Sequence, residues 1–204
     1  MKIVTLTLML LLLSTMMYGQ SFIIDENGII KCEGVEIGST GMIFGEEYES
    51  VDRELLIQRR DEGSDLTKVC VSNVTNMSEM FRYSQFNQPI GNWDVSNVTD
   101  MNFMFSNSPF NNSSGYWDVS SVTDMKEMFH VNHYFNQPIG NWDVSSVTDM
   151  SWMFYQSQFN QPIGDWDVSN VTDMSVMFRN SQFNQPIGNW DVSNVIHMEW
   201  MFKD

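Results

Sequence analysis

Two sets of aspartates recur at regular intervals and are the residues in this sequence best suited to bind a metal. The first set is Asp94, Asp118, Asp143, Asp167 and Asp191, and the second is Asp100, Asp124, Asp149 and Asp173. Carboxylate oxygens are the ligands that Ca²⁺ prefers, so turns that carry them at every repeat permit a calcium array. Aspartates also accept hydrogen bonds at turns and helix starts, and neither set matches the GGxGxDxUx calcium repeat. The pattern favours capping over calcium, and we predict no cofactor.

The sequence lacks the usual signatures of catalysis. His130 and His133 form an H-x-x-H, but no third ligand follows at a zinc spacing. There is no G-x-S-x-G, P-loop or H-E-x-x-H. A glycosidase needs two acids about 5–9.5 Å apart in a cleft, whereas acids that repeat give a uniform row. We therefore predict that the chain is not an enzyme and has no catalytic or metal-binding residues.

Two positions vary within an otherwise uniform repeat, and they are our candidates for binding. The position between two methionines is occupied by Glu79, Phe103, Glu127, Trp152, Val176 and Trp200, and the position after the following phenylalanine by Arg82, Ser106, His130, Tyr155, Arg179 and Lys203. Exposed aromatic residues anchor interfaces. The predicted partner-binding face therefore consists of Phe103, Trp152, Tyr155 and Trp200. Relaxed constraint on a solvent face is the alternative interpretation.

These positions belong to a tandem repeat that tryptophan marks. Trp93, Trp117, Trp142, Trp166 and Trp190 lie 24 or 25 residues apart. In the unit that begins at Trp166, Val171, Met174, Met177 and Phe178 follow the spacing of one helix face. The segment from Phe183 to Ile187 is short and extended, because Pro186 excludes a helix there. We predict an α/β repeat solenoid of the leucine-rich-repeat type, with a short strand and a short helix in each turn of about 24 residues.

The repeat divides the chain into three predicted segments. Residues 1–20 read as a signal peptide, with an apolar run too short to span a bilayer; an uncleaved anchor or a buried helix is the alternative. Residues 21–68 are predicted to cap the repeats, rather than to form a separate binding domain. Residues 69–204 form six repeats, starting near 69, 93, 117, 142, 166 and 190, the last incomplete. Cys32 and Cys70 are the two cysteines. A disulfide between them is favoured over two buried thiols.

The repeat closely resembles a known family. The run VTDMSxMFxxSxFNQPIGNWDVS is similar to the repeat of BspA-like leucine-rich-repeat bacterial surface proteins, and the similarity covers Val69 to Asp204. The segment NGIIKCEGVEIGSTG also resembles the lead-in ahead of such repeats. The resemblance implies an exported or surface-exposed protein, a curved solenoid, and a role in adhesion or partner binding.

Charge narrows the list of partners. The formal net charge is −16, with 26 acidic against 10 basic residues, so the surface repels nucleic acid and anionic lipid. We expect a protein or glycan partner, no nucleic acid, and no membrane insertion after signal cleavage. The predicted function is a secreted or cell-surface, non-catalytic binding or adhesion scaffold, and the alternative is a secreted carbohydrate-binding protein.

Overall fold

The computed structural model describes residues 21–202. The predicted signal peptide, residues 1–20, and Lys203 lie outside the described residues. Short strands and one helix lie ahead of the repeats, and the last strand lies at the start of the first repeat. In chain order they are strands β1 (Ile23–Ile24), β2 (Ile30–Lys31), β3 (Thr40–Ile43) and β4 (Glu46–Ser50), helix α1 (Arg53–Asp61), a 3-10 helix (Leu66–Lys68) and strand β5 (Val69–Cys70). No helix in this part of the chain is long and apolar enough to cross a bilayer.

The strands form two small sheets. β1 and β2 pair antiparallel, with Ile24 opposite Ile30, across the turn that contains Asn27 and Gly28. β3 pairs antiparallel with β4, and β4 pairs parallel with β5. A disulfide joins Cys32, just after β2, to Cys70 at the end of β5. The two sheets are thereby tied together next to the first repeat.

The predicted α/β solenoid is wrong. Within residues 21–202 the one α-helix is α1, which precedes the repeats, and the structure is otherwise short strands, turns and irregular chain. The predicted helix of each repeat fails at the residue between the two methionines, where the backbone φ is positive, from 53° to 61° in the six repeats. An α-helix requires negative φ at every residue. The two methionines of a repeat are three residues apart in sequence, and consecutive turns, rather than a helix, bring both side chains to the core.

Backbone hydrogen bonds join each repeat to the next. The N–H groups of the first Met, of the residue between the two Mets, and of the core Phe all donate to carbonyls of the following repeat. In the first repeat these bonds are Met77 to Asp100 (2.8 Å), Glu79 to Asn102 (2.9 Å) and Phe81 to Met104 (2.9 Å). The intervening N–H groups close turns within the repeat, as Met80 N–H does with the Met77 carbonyl (3.2 Å). One bond runs the other way, from Thr99 N–H to the Thr75 carbonyl (2.9 Å).

Large side chains stack between repeats in the core. The rings of Phe81 and Phe105 are stacked with centroids 5.6 Å apart, and those of Trp117 and Trp142 lie 6.5 Å apart. The indole of Trp117 also donates to the carbonyl of Ile90, 27 residues earlier in the chain (3.2 Å). These rings are almost completely buried. Each repeat therefore needs its neighbours both to bury its apolar rings and to supply hydrogen-bond acceptors for its buried indole N–H groups.

Two arginines of α1 make the hydrogen bonds to the first repeat that a preceding repeat would otherwise make. Arg53 donates to the carbonyls of Asn76 and Ser78, both at 2.7 Å, and Arg60 donates to the carbonyl of Met80. The equivalent carbonyls of the second repeat, such as that of Asp100, accept backbone N–H groups from the first. Guanidinium groups therefore satisfy the first row of carbonyls where no repeat precedes it.

Candidate functional site

The positive φ directs a row of varied side chains away from the core. We call the positions between the two methionines and after the core phenylalanine the variable strip; its described members are Glu79, Arg82, Phe103, Ser106, Glu127, His130, Trp152, Tyr155, Val176, Arg179 and Trp200. Met101 and Met104 are fully buried, whereas Phe103 between them is partly exposed. The left-handed residue thus reverses the chain between two core positions. Two members of the strip are exceptions, because Val176 and Ser106 are buried.

The four residues predicted to contact a partner all lie on this strip, but only two of them meet. Trp152 and Tyr155 pack with ring centroids 5.0 Å apart and planes tilted by 59°. Phe103 lies two repeats before Trp152, under the guanidinium of Arg82, whose Cζ is 4.2 Å from the ring centroid. Trp200 lies two repeats after Trp152 and is 57% exposed.

The middle of the strip holds a serine, a histidine and a glutamate. Ser106 Oγ lies 3.4 Å from His130 Nδ1, and Glu127 Oε2 lies 3.9 Å from the same nitrogen. A catalytic relay needs the nucleophile and the acid on different ring nitrogens, so this arrangement cannot pass a proton between them. The ring of His130 also stacks on Tyr155, at 5.0 Å.

Burial disfavours charge on both ionisable members of this cluster. Burial raises the pKa of Glu127, against the opposing charges of Lys126 and Arg82. Burial, and then the charge of Arg82, lowers the pKa of His130. His130 is therefore neutral at pH 7, and its contact with Glu127 is not an ion pair under those conditions.

Two arginines occupy equivalent places on the strip and differ in their partners. Arg82 donates to Glu79 in its own repeat (3.0 Å), and Arg179 stacks over the ring of Trp200, with 5.2 Å from Cζ to the centroid. The position that corresponds to Glu79 is Val176 in the repeat of Arg179. The Nε atoms of both arginines are buried without a hydrogen-bond partner.

Sequence reasoning named the aromatic residues of the strip and passed over these arginines. Within residues 69–202 the basic side chains are Arg82, Lys126 and Arg179, and each lies on the strip or directly beside it. In a chain of net charge −16, the concentration of cations at one repeated position is a signal that the sequence already contained.

The two aspartate sets lie in turns, where they accept hydrogen bonds. Asp118 accepts from the N–H (3.1 Å) and the hydroxyl (2.6 Å) of Ser120, and Asp100 accepts from Asn102 N–H (2.9 Å). The hydroxyl and N–H of Ser145 hold the pKa of Asp143 below its usual range. The carboxylates close turns rather than start helices. Among the residues that the structure describes, no three His, Cys, Asp or Glu side chains are arranged to hold a metal ion.

One repeat contains an extra residue, which forms a local protrusion. His133 and Tyr134 replace a single residue there and are exposed, Tyr134 at 61%. The buried side chain of Asn132 anchors this insertion, because it donates to the Phe110 carbonyl (3.1 Å) and accepts from the N–H groups of Tyr134 and Phe135. His130 and His133 therefore differ in their surroundings, one in the cluster and one on the protrusion.

The repeats match a protein family of unknown function. The family described as "Mycoplasma protein of unknown function, DUF285" matches residues 54–157 and 106–204, two overlapping segments that together cover most of the chain. The chain belongs to this repeat-bearing family. No match was found among the curated proteins or among the solved structures.

Proposed function

We propose that this member of the DUF285 family is a non-catalytic binding scaffold, exported or displayed at a cell surface, which contacts its partner through the variable strip. One observation carries the proposal. The strip presents aromatic and cationic side chains of differing type on a backbone that is otherwise repeated. Aromatic residues and arginine are the types most enriched in the energetic centres of interfaces.

The backbone under the strip favours binding because its geometry is fixed in advance. The N–H of Trp152 donates to the Ser175 carbonyl (3.0 Å), and the N–H of Glu127 donates to the Ser151 carbonyl (3.0 Å). Hydrogen-bonded chains lie about 4.8 Å apart, so side chains of successive repeats are held at about that spacing. A partner then meets a surface that loses little backbone freedom on binding.

Export and display are supported by the sequence. Residues 1–20 have the composition of a signal peptide, and the repeats resemble those of BspA-like surface proteins. The acidic composition suits a protein that must stay soluble. Adhesion, in which the strip holds a molecule outside the cell, is the biological role that we propose.

Carbohydrate binding is a second candidate function, and one contact favours it. Trp152 and Tyr155 form a tilted aromatic pair, and the amide of Gln156 donates to the Tyr155 hydroxyl (3.2 Å). An apolar ring surface edged by oriented amide and hydroxyl groups suits a sugar, which has C–H faces and hydroxyl edges.

A binding screen with two matched variants tests the proposal. The full chain is applied to a printed glycan panel and to purified secreted glycoproteins, with and without enzymatic removal of their glycans. We expect Trp152→Ala with Tyr155→Ala to weaken binding about 30-fold or more, as loss of an interface anchor does. Tyr116→Ala is the control, because Tyr116 is 68% exposed but lies off the strip.

The outcomes separate the two candidates. Binding that survives deglycosylation identifies a protein partner, and binding that is lost with the glycan identifies a carbohydrate. Equal binding by the strip variant and by the wild type would contradict the proposal, as would a chain that binds none of the probes.

A further inference from the structure

Arg179 differs from the other described arginines because its guanidinium donates to no group within residues 21–202. Arg53, Arg59, Arg60 and Arg82 each donate to a carbonyl or a carboxylate. The guanidinium of Arg179 makes no hydrogen bond or ion pair with the described residues, and its Nε is buried without a partner. None of the acidic residues that the structure describes pairs with this guanidinium, so the group is left available for a ligand.

The stacked ring holds that guanidinium in place. Arg179 lies over the indole of Trp200, with 5.2 Å from Cζ to the ring centroid. A guanidinium stacked face-on keeps its N–H edge in the plane, where it can meet a carboxylate through two parallel bonds. The ring also reduces the side-chain freedom that binding would otherwise remove.

Aromatic residues flank this guanidinium along the strip. Trp152 and Tyr155 belong to the repeat before Arg179, and Trp200 belongs to the repeat after it. The N–H of Gln156 donates to the Arg179 carbonyl (3.0 Å), so the two repeats are in direct register. A cation between ring surfaces fits a ligand that combines an acid with an apolar face.

The charge of the chain limits how acidic the ligand can be. Net charge −16 repels polyanions such as sulfated polysaccharides or nucleic acid. A ligand with a single carboxylate can pair with Arg179 and brings little further repulsion. A sugar acid at the end of a neutral glycan meets this condition better than an acidic peptide, which carries several charges and lacks a flat apolar face.

We infer that Arg179 and Trp200, with the neighbouring pair Trp152 and Tyr155, form a subsite for a sugar residue that carries one carboxylate, such as a terminal sialic or uronic acid on an otherwise neutral glycan. This inference rests on the proposed function and names its ligand. Carbon–hydrogen faces of the sugars lie on the rings, and the carboxylate accepts from the guanidinium.

In the first repeat, the equivalent arginine is already paired with a carboxylate and has no place for a ligand. Arg82 stacks over Phe103 as Arg179 does over Trp200, but Glu79 already occupies its guanidinium at 3.0 Å. Val176 stands at the position of Glu79 and has a similar backbone φ, 61° against 57°. The residue three positions before the arginine therefore decides whether that arginine can take a ligand.

Titration of the full chain with sialyllactose, lactose and sodium acetate tests the inference, with the indole N–H signals of tryptophan observed by NMR. Sialyllactose is expected to bind at least about tenfold more tightly than lactose or acetate, the usual size of a charge-assisted hydrogen bond. Arg179→Gln should remove this advantage. Val176→Glu should also remove it while leaving the arginine present, because the new carboxylate is placed as Glu79 is beside Arg82.

Two further variants serve as controls. Lys68→Gln removes a cation that lies off the strip and is already paired, with Glu46 at 3.0 Å, and it should leave sialyllactose binding unchanged. Glu79→Gln frees Arg82 and should create a second, weaker site over Phe103. Unchanged far-ultraviolet circular dichroism and thermal unfolding in each variant establish that the fold is kept.

Three results would overturn the inference. These are equal binding of lactose and sialyllactose, acetate binding as tight as that of sialyllactose, and sialyllactose binding that survives Arg179→Gln. If sialyllactose fails while some other partner is lost on Trp152→Ala with Tyr155→Ala, the acid subsite is wrong and the proposed function stands. If strip variants alter no binding at all, both fail.

Discussion

The guanidinium of Arg53 satisfies two backbone carbonyls at the start of the repeats, and its removal gives the sharpest test of how the repeats are capped. Arg53→Met keeps most of the aliphatic stem and removes both bonds, each 2.7 Å long, to Asn76 and Ser78. A hydrogen bond to a charged group contributes about 1.5–3 kcal/mol, which gives roughly 3–6 kcal/mol for two. Both bonds are part-buried, so water can replace part of the loss, and we expect about 3 kcal/mol.

Equilibrium unfolding in urea measures this loss. For a chain of this size, a change of about 3 kcal/mol lowers the melting temperature by roughly 6–12 °C. Arg53→Lys should retain about half of the stability, since an ammonium group supplies one bond in place of a fork. Glu54→Gln, an exposed change on the same helix, is the control.

Two observations would refute this account of the cap. A loss below about 1 kcal/mol for Arg53→Met would show that the carbonyls do not need the guanidinium. A similar loss for Glu54→Gln would show that the effect belongs to the helix and not to the bonds it makes with the first repeat.

Three further perturbations follow from contacts elsewhere in the chain. Val131→Asn should raise the free energy of unfolding by roughly 1 kcal/mol, and Asn180→Val should lower it by a similar amount. Both positions have a positive φ, which asparagine tolerates better than a β-branched residue does. Urea titration of both variants measures this. Glu127→Gln should be more stable than the wild type at neutral pH and equal to it below the ordinary glutamate pKa. The pKa of Glu127 is raised in the folded state, so its contribution to stability is present at low pH and is lost as the pH rises through that pKa. Unfolding curves from pH 3 to pH 8 decide this. Replacing Cys32 and Cys70 by serine should cost about 4 kcal/mol, since the disulfide closes a loop over a separation of 38 residues, and a melting temperature that does not change on reduction would contradict it.

The lead-in to the repeats could be predicted because its signals are local. Asn27-Gly28 is a hairpin turn signal and residues 52–60 have helical composition, and the structure has the β1–β2 hairpin and the helix Arg53–Asp61 at these places. Backbone preferences of a few neighbouring residues decide such features. The contacts of Arg53 and Arg60 could not be predicted in the same way, since their acceptors are carbonyls 23 and 20 residues away.

The helix predicted in each repeat was wrong for a reason that lies in the spacing itself. Val171, Met174 and Met177 are three residues apart, a spacing that a helix and a series of tight turns share. The chain takes the turns because Val176 adopts a positive φ and the N–H groups of Met174 and Val176 donate to the following repeat. Bonds between repeats outweigh the local cost of about 1–2 kcal/mol at each left-handed residue.

Asparagine recurs at one position of the repeat, as at Asn87, Asn111 and Asn136. Such a column predicts buried side chains that satisfy backbone groups, but these three side chains are exposed. They do satisfy the backbone: Asn111 N–H donates to Asn87 Oδ1 (3.0 Å) and Asn136 N–H to Asn111 Oδ1 (3.1 Å). Sequence shows that a polar residue recurs, but its depth depends on packing between distant segments.

The one-way direction of the bonds between repeats has an electrical consequence. The peptide N–H groups of Met77, Glu79 and Phe81 point towards the following repeat, and this arrangement is copied along the chain, with fewer bonds in the opposite direction. Aligned peptide dipoles add, as they do in a helix. The array is therefore polarised, negative at the carbonyl row that Arg53 and Arg60 cover and increasingly positive towards the later repeats. Repeats of nearly identical sequence lie at different potentials, and an anion beside Arg179 gains from a backbone field that the same anion beside Arg82 would lack.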